Sequence, residues 1–356
     1  MANYDNIEAS ITIDYISAAC SKSRTTVSAV LRGEAKKYRI SDKTAEQIRS
    51  TAEQLGWKPN FFARSLNKKK TKTIGVVFPD VFERFMGETI RGIETALQSA
   101  DYRMLLSTSR FDWKEELYAI ENFRYRGVDG FIIVPCADFT YTKQQDHAEK
   151  LIKQIGNIPC VILDRSIPKL NPLENGYGFV VQADYIAASN AVRYLAKSYN
   201  PKIIGYLGFN LKASSLQNRL AGFRDTTKEL GITSQEILLD YQNSTAIDIS
   251  SSLLILKQQK MLPLHWLVST EGLSYRLASL LEDLGYRLGY DMYIARFGND
   301  IPFFKTNFIN IPQPHMTMGK TATELLLELI NKRETLDHYR ELPINIEVEI
   351  RGRHET

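Results

Sequence analysis

Cysteine is scarce in this sequence; Cys20, Cys136 and Cys160 are all there are. An odd, widely spaced set with no Cys-x-x-Cys pair excludes a disulfide framework and a cysteine-rich zinc site. Histidine is sparse too: His147, His265, His315, His338 and His354 stand in no HExxH or paired ligand spacing. There is no GxSxG elbow and no Walker loop. Cys136 follows an apolar run and Pro135, as a nucleophile could, but free cysteine is usually an inert core residue. The expectation is a protein that is not an enzyme and needs no cofactor or metal. Long apolar runs are also missing, and none approaches the ~20 residues that span a bilayer. The opening MANYDNIEAS is polar and acidic, unlike a signal peptide. These absences predict a soluble cytoplasmic chain with reduced thiols and no membrane partner.

What is present is length, core material and an uneven charge. The 356 residues are 44% hydrophobic and 10% aromatic, enough for two or three packed domains. Residues 1–72 hold 14 Lys and Arg against 7 Asp and Glu, a net +7 within a chain whose total is +4. The remainder is therefore −3. A basic head on a mildly acidic body predicts a polyanion partner for the head alone.

The head reads as three short helices. Thr12 stands at an N-cap, and Ile13, Ile16 and Ala19 or Cys20 share a face. After a break at Cys20-Ser21-Lys22, Ser23 caps a second helix with Val27, Val30 and Leu31 inward and Gly33 as its stop. A basic loop, Glu34–Ile40, leads to a third helix, capped by Ser41 and ended by Gly56, with Ala45, Ile48, Ala52 and Leu55 inward. A tight turn between the first two helices makes this a helix-turn-helix unit. From Thr73 apolar strand-like runs alternate with helical stretches: Ile74–Phe78, Tyr102–Ser107, Gly130–Pro135 and Cys160–Leu163, then, after residue 175, Phe179–Val181, Ile203–Leu207, Ile237–Leu239, Trp266–Val268 and Met292–Ala295. Two such series predict two doubly wound parallel-sheet subdomains with a ligand cleft between them.

With Ser23, Thr26-Val27-Ser28, Val30-Leu31-Arg32-Gly33, Leu55-Gly56-Trp57, Pro59-Asn60, Ala63-Arg64 and Leu66 in this order, the stretch Ile13–Leu66 resembles the lac repressor (LacI/GalR) family of bacterial regulators. The groups from Ser23 to Gly33 carry the family's helix-turn-helix pattern, and those from Leu55 to Leu66 its third-helix ending and hinge. The likeness continues through Pro79-Asp80, Arg126–Gly130, Asp164-Arg165, Asn218-Arg219 with Gly222-Phe223, Gln313-Pro314 with Gly319, and Glu349–Arg351. Departures are Cys20-Ser21-Lys22 in place of the usual Ala-Gly-Val turn, and Ala29 where an Arg that reads bases is common.

The resemblance implies an α/β core of the periplasmic-binding-protein type behind an N-terminal all-α helix-turn-helix domain. The expected division is residues 1–58 for the head, 59–72 for a hinge helix or linker, and 73–356 for the core. Within the core, 73–175 with 304–334 form one subdomain and 176–303 with 335–356 the other. The implied function is a sequence-specific transcription regulator, expected to be a repressor, acting as a homodimer on double-stranded operator DNA. A small-molecule effector, a sugar or sugar acid, sets its affinity. The alternatives are a sugar-binding protein of the same core fold without regulatory DNA binding, and a regulator that answers to a protein corepressor.

In a helix-turn-helix the start of the second helix enters the major groove. Arg24 can pair with a guanine and Thr25 can touch a neighbouring base, with Ser28 and Ala29 one turn on. Ser23, Thr26, Ser28 and Ser41 suit phosphates, and Lys36, Lys37 and Arg39 are as readily a solvated loop as a phosphate contact. By resemblance Asn60, Ala63, Arg64 and Leu66 form a hinge that orders on DNA, with Leu66 wedged in the minor groove. The expected effector contacts lie past strand ends. Phe85, Met86, Ser107, Asp164 and Arg165 come from the first subdomain, and Asp184, Arg219, Tyr241, Glu271 and Asn299 from the second. Arg219 corresponds to the family's ligand-clamping arginine and Tyr241 to an aromatic that stacks on the ligand.

Overall fold

The computed structural model describes residues 11–57, 70–80, 84–136, 144–240, 246–299, 306–331 and 338–342. The chain forms two compact units, Met1–Thr71 and Lys72–Thr356.

The first unit holds α1 (Ile13–Ala19), α2 (Arg24–Leu31) and α3 (Asp42–Gln54). Each starts on a hydroxyl cap. Thr12 accepts the Tyr15 N–H, Ser23 the Thr26 N–H and Ser41 the Thr44 N–H, which satisfies an otherwise orphan donor. The α1–α2 turn passes through Ser21 at φ 53°, and Gly33 and Gly56 end α2 and α3 at φ 79° and 70°. Ile16, Cys20, Val27, Val30, Ala45, Ile48 and Ala52 form the small core. Ala35 also packs into it, so the basic loop is anchored while Lys36, Lys37 and Arg39 stay exposed.

The second unit contains two parallel sheets. The first is built from β1 (Thr73–Phe78), β2 (Arg103–Thr108), β3 (Gly130–Ile133), β4 (Cys160–Leu163), β5 (Gly178–Gln182) and β11 (Tyr339–Leu342), in the order β11-β5-β4-β3-β1-β2. On one face lie α4 (Arg84–Ser99) and α11 (His315–Ile330), over Ile74, Val76, Phe78, Ile132, Val161 and Val180. On the other lie α5 (Trp113–Tyr125) and α6 (Gln144–Ile155), over Val77, Phe131, Ile133 and Ile162. Helices α4 and α11 cross at two glycines. A Cβ on Gly92 would lie 2.1 Å from the Met316 carbonyl oxygen, and one on Gly319 2.1 Å from that of Thr89. Only glycine permits this approach.

The second sheet runs β10 (Ile309–Ile311), β9 (Tyr293–Phe297), β8 (His265–Val268), β6 (Ile203–Phe209), β7 (Thr233–Leu239). Its helices are α7 (Asp184–Tyr199), α8 (Ser214–Glu229), α9 (Ala246–Gln258) and α10 (Glu271–Asp283). Both sheets thus share the doubly wound 2-1-3-4-5 order.

Three strand placements differ from expectation. Phe179–Val181 does not open the second lobe; β5 pairs with β4 and β11 in the first. The stretch from Pro168 to Gly176 reads as a boundary because it is rich in Pro, Asn and Gly. It is instead a helix-free crossover, held by buried Ile167, Leu170 and Tyr177. Residues 339–342, expected in the second lobe, add β11 to the first sheet, and Ile309–Ile311, expected in the first, pairs with β9 in the second. The chain therefore crosses between lobes at residues 182–184 and 311–315.

Candidate functional site

In sheets of this order ligands sit beyond the C-terminal strand ends, near the switch point. Here these ends carry a buried polar cluster contributed by both lobes. At its centre is Arg219 on α8, only 6% exposed. Its Nε donates to Asp184 Oδ1 at 2.7 Å and its Nη1 to the Ser269 carbonyl at 2.6 Å. The guanidinium stacks 4.0 Å over the Phe297 ring. Charge-assisted bonds and a stacked face fix the plane of the group, which lysine would not do.

Asp184 opens α7, where the helix dipole favours an anion. Burial nevertheless pushes its pKa up to about 7; Arg219 pulls it down and Asp164 pushes it up. Asp164, from the first lobe, follows β4 with φ 69° and is buried. Burial raises its pKa as well, opposed by Arg165, Arg219 and the amide of Gln182. Two carboxylates that share one neighbourhood resist ionising together.

Gln182, at the end of β5, is 2% exposed, and neither end of its amide has a partner at hydrogen-bonding geometry. The buried Ser269 hydroxyl, just past β8, is in the same state. Such groups are costly to leave unmade. Their position at strand ends fits a ligand that both gives and accepts hydrogen bonds. The lobes are also clasped directly: the Ser166 N–H donates to Ser214 Oγ at 2.8 Å, and the Ser214 N–H to the Ser166 carbonyl at 3.1 Å. Arg165 Nε donates to the Pro135 carbonyl at 3.2 Å and lies 3.8 Å from Asp164.

Asp164, Arg165, Asp184 and Arg219 are therefore brought together, as the sequence suggests. Others are placed elsewhere. Met86 is wholly buried in the first lobe's core, because it lies on the same face of α4 as Ile93, the face that packs into the sheet. Ser107 lies within β2, not after it, and faces a groove under Tyr118 and Asn122 of α5. Asn299 binds the backbone of Gln313, accepting its N–H at 2.8 Å and donating to its carbonyl at 3.4 Å. This spans the β10–α11 crossover, so its amide braces a hinge. Glu271 begins α10 beside Gly298. Tyr241 and the side chain of Phe85 lie outside the described residues. Gln182 and Ser269 were missed; their signal is a polar residue closing an apolar strand, GFVVQ and HWLVS.

In the head, Ser23, Arg24 and Thr25 are exposed at the start of α2. Arg24 rests 3.3 Å from Asp14, an exposed pair that a phosphate or base can displace. The Thr26 and Ser23 hydroxyls bond each other at 2.8 Å, as do those of Ser41 and Thr44 at 2.9 Å. Ser28 is half-buried, and Ala29 is buried against the head's core rather than turned toward a groove. Asn60, Ala63, Arg64 and Leu66 lie outside the described residues.

A bilobed binding fold carried with a DNA-reading head is the build of a ligand-responsive transcription regulator. Residues 71–254 match the family described as periplasmic binding proteins and sugar binding domain of LacI family, and the chain belongs to that family. It is 27% identical to catabolite control protein A of Priestia megaterium over 95% of this chain and 98% of that protein. It is 26% identical to the HTH-type transcriptional repressor PurR of Vibrio vulnificus, covering 91% and 93%. Among solved structures it is similar to the lac repressor dimer bound to operator and the anti-inducer ONPF, with a TM-score of 0.79 and 19% identity over 95% of this chain and 98% of that one. These relatives are regulators, not enzymes. No helix among the described residues is long and apolar enough to cross a membrane.

Proposed function

We propose that this regulator is a cytoplasmic repressor that binds a palindromic operator as a homodimer, and that a sugar or sugar acid held around Arg219 sets its affinity. The observation that carries the reading is the Arg219 cluster. It joins Asp164 and Gln182 of one lobe to Asp184 and Ser269 of the other, so a ligand there biases how the lobes close. Arg24 and Thr25 read bases, while Ser23, Thr26, Ser28, Ser41 and the Asn60–Leu66 hinge grip the backbone and minor groove. Two heads one helical turn apart match the symmetry of the dimer. A polyol can satisfy carboxylates and amides together, and a carboxylated sugar can take up the guanidinium's remaining N–H groups.

The test is a metabolite screen by thermal shift, then titration of the selected operator with and without the hit. Coupling is reciprocal, so DNA must weaken the ligand by the factor that the ligand weakens DNA. A hit that binds but leaves DNA affinity unchanged reduces the protein to a sugar binder. Operator binding that responds to a phosphoprotein and to no sugar points to a protein corepressor.

A further inference from the structure

Inside the first lobe, away from the Arg219 cluster, three donors of different chemistry converge on the sheet face covered by α5 and α6. Glu116 comes from the first turn of α5, His147 from α6, and Cys136 lies three residues beyond β3. All three are fully buried. Glu116 Oε1 lies 2.7 Å from His147 Nε2, and Glu116 Oε2 accepts the Cys136 backbone N–H at 2.6 Å. One ligand atom from each residue falls within 4.8 Å of the others. Their spacing in sequence, 20 and 11 residues, matches no metal motif, so only the fold assembles them.

Glu116 already ties the other two together, one oxygen to each. His147 Nδ1, on the far edge of the ring, has no partner among the described residues, so nothing fixes the tautomer and Nε2 can give up its proton to turn a lone pair toward an ion beside Glu116. The same sheet face carries the apolar core of Val77, Phe131, Ile133 and Leu151, and the Trp113 ring lies 6.0 Å from the imidazole. The donor set also fits one class of ion. Thiolate, imidazole and carboxylate together are zinc chemistry, whereas magnesium and calcium take oxygen. A divalent ion against Glu116 and an ionised Cys136 leaves the buried site neutral, which removes the main penalty for burying charge. Donors around a tetrahedral zinc stand roughly 3.5 Å apart, so the Glu116–His147 pair, now at 2.7 Å, has to open by about 1 Å, while a separation at the 4.8 Å limit has to close by about as much.

We propose that Glu116, Cys136 and His147 form a buried site for a zinc-class divalent ion. On binding, the Cys136 thiol gives up its proton and sulfur, nitrogen and oxygen ligate the ion; no redox step is involved. The ion pins the Pro135–Cys136 turn, and Pro135 carries the carbonyl that anchors Arg165. The metal thereby steadies one wall of the effector cluster.

The probes are Co2+ and Zn2+ added to the full chain after chelation. One equivalent of Co2+ is expected to produce a thiolate-to-cobalt charge-transfer band that Zn2+ abolishes, and Zn2+ is expected to raise the melting temperature by mass action. Cys136→Ser should erase the band, His147→Gln should weaken binding at least about tenfold, and Cys160→Ser should change neither. No charge-transfer band in the folded wild type, or a band that survives Cys136→Ser, overturns the proposal. Because the first of these uses only the wild type, a variant that fails to fold leaves the test intact. Operator and effector binding by the metal-free chain are measured in parallel, so a failure here is separable from a failure of the regulator reading.

Discussion

Replacing Gly319 by alanine tests whether the close crossing of α4 and α11 holds the first lobe together. The new Cβ would stand 2.1 Å from the Thr89 carbonyl oxygen and 3.0 Å from the Ile93 nitrogen. Ordinary C···O contact is about 3.3 Å, so the helices must part by roughly 1 Å. Both obstacles are backbone, which cannot rotate aside. The crossing seals Met86, Ile93, Met318 and Ala322, and a gap of that size forfeits between a quarter and a half of each affected dispersion contact. Overpacking of this kind costs about 3 kcal/mol, from which about 1 kcal/mol is recovered as alanine's helix propensity. The net loss of about 2 kcal/mol lowers the melting temperature of the core by roughly 4–8 °C. Gly87 of α4 is the control, since a Cβ there meets nothing within 4 Å. Gly87→Ala should therefore raise stability by up to about 1 kcal/mol. Thermal unfolding followed by circular dichroism decides the matter. Opposite signs for the two variants support the packing argument, and equal or same-signed shifts refute it.

The remaining predictions concern the site and the hinge. Asp184 has a folded pKa of about 7 against an ordinary 3.8, so between about pH 4 and 7 the native chain holds a proton that the unfolded chain releases. This group's contribution to stability therefore falls as pH rises through that window and levels off above it, by about 4 kcal/mol at most. In Asp184→Asn that part of the pH slope should vanish, and denaturation curves with unchanged slope would contradict the assignment. Arg219→Met should cut effector affinity more than about 100-fold through loss of charge-assisted bonds; calorimetry showing wild-type affinity would remove Arg219 from the site. Leu66→Ala should weaken operator binding by roughly tenfold or more while sparing the effector, and a matched loss of both in anisotropy and calorimetry would argue against the hinge role. Ser214→Ala removes one of two clasp bonds, and its effector dissociation rate in stopped-flow should rise several-fold, about 1 kcal/mol.

The head was legible almost to the residue, because its boundaries are written in local chemistry. Thr12, Ser23 and Ser41 cap, Gly33 and Gly56 stop, and the apolar face repeats at helical spacing. The alternation of strands and helices was equally plain. What the sequence concealed was allocation. Strand β5 follows β4 without a helix, and the chain leaves the second lobe after β10 to give both α11 and β11 to the first, so composition shifts mislead about membership. In the site, Asp164, directly after a buried strand, follows from topology, whereas Ser269, which stands in the same relation to its own strand, was overlooked. Met86 and Asn299 did not behave as expected because helical phase and backbone hydrogen bonding, neither visible at one position, decide where a side chain points. Cys136, read as an inert core thiol, shows how a cluster drawn from α5, α6 and a strand end leaves no trace in spacing.

The interleaved lobes have a consequence during synthesis. Residues 184–311 supply the second sheet and its helices as one uninterrupted span, so that half can close as it leaves the ribosome. The first half cannot. Its sheet waits for α11, which lies over β3, β4 and β5 and against α4, and until residue 330 emerges Val161, Val180 and their neighbours present a bare greasy surface. A nascent chain stalled before His315 would thus carry one finished lobe and one sticky one, the state in which a chaperone is needed most.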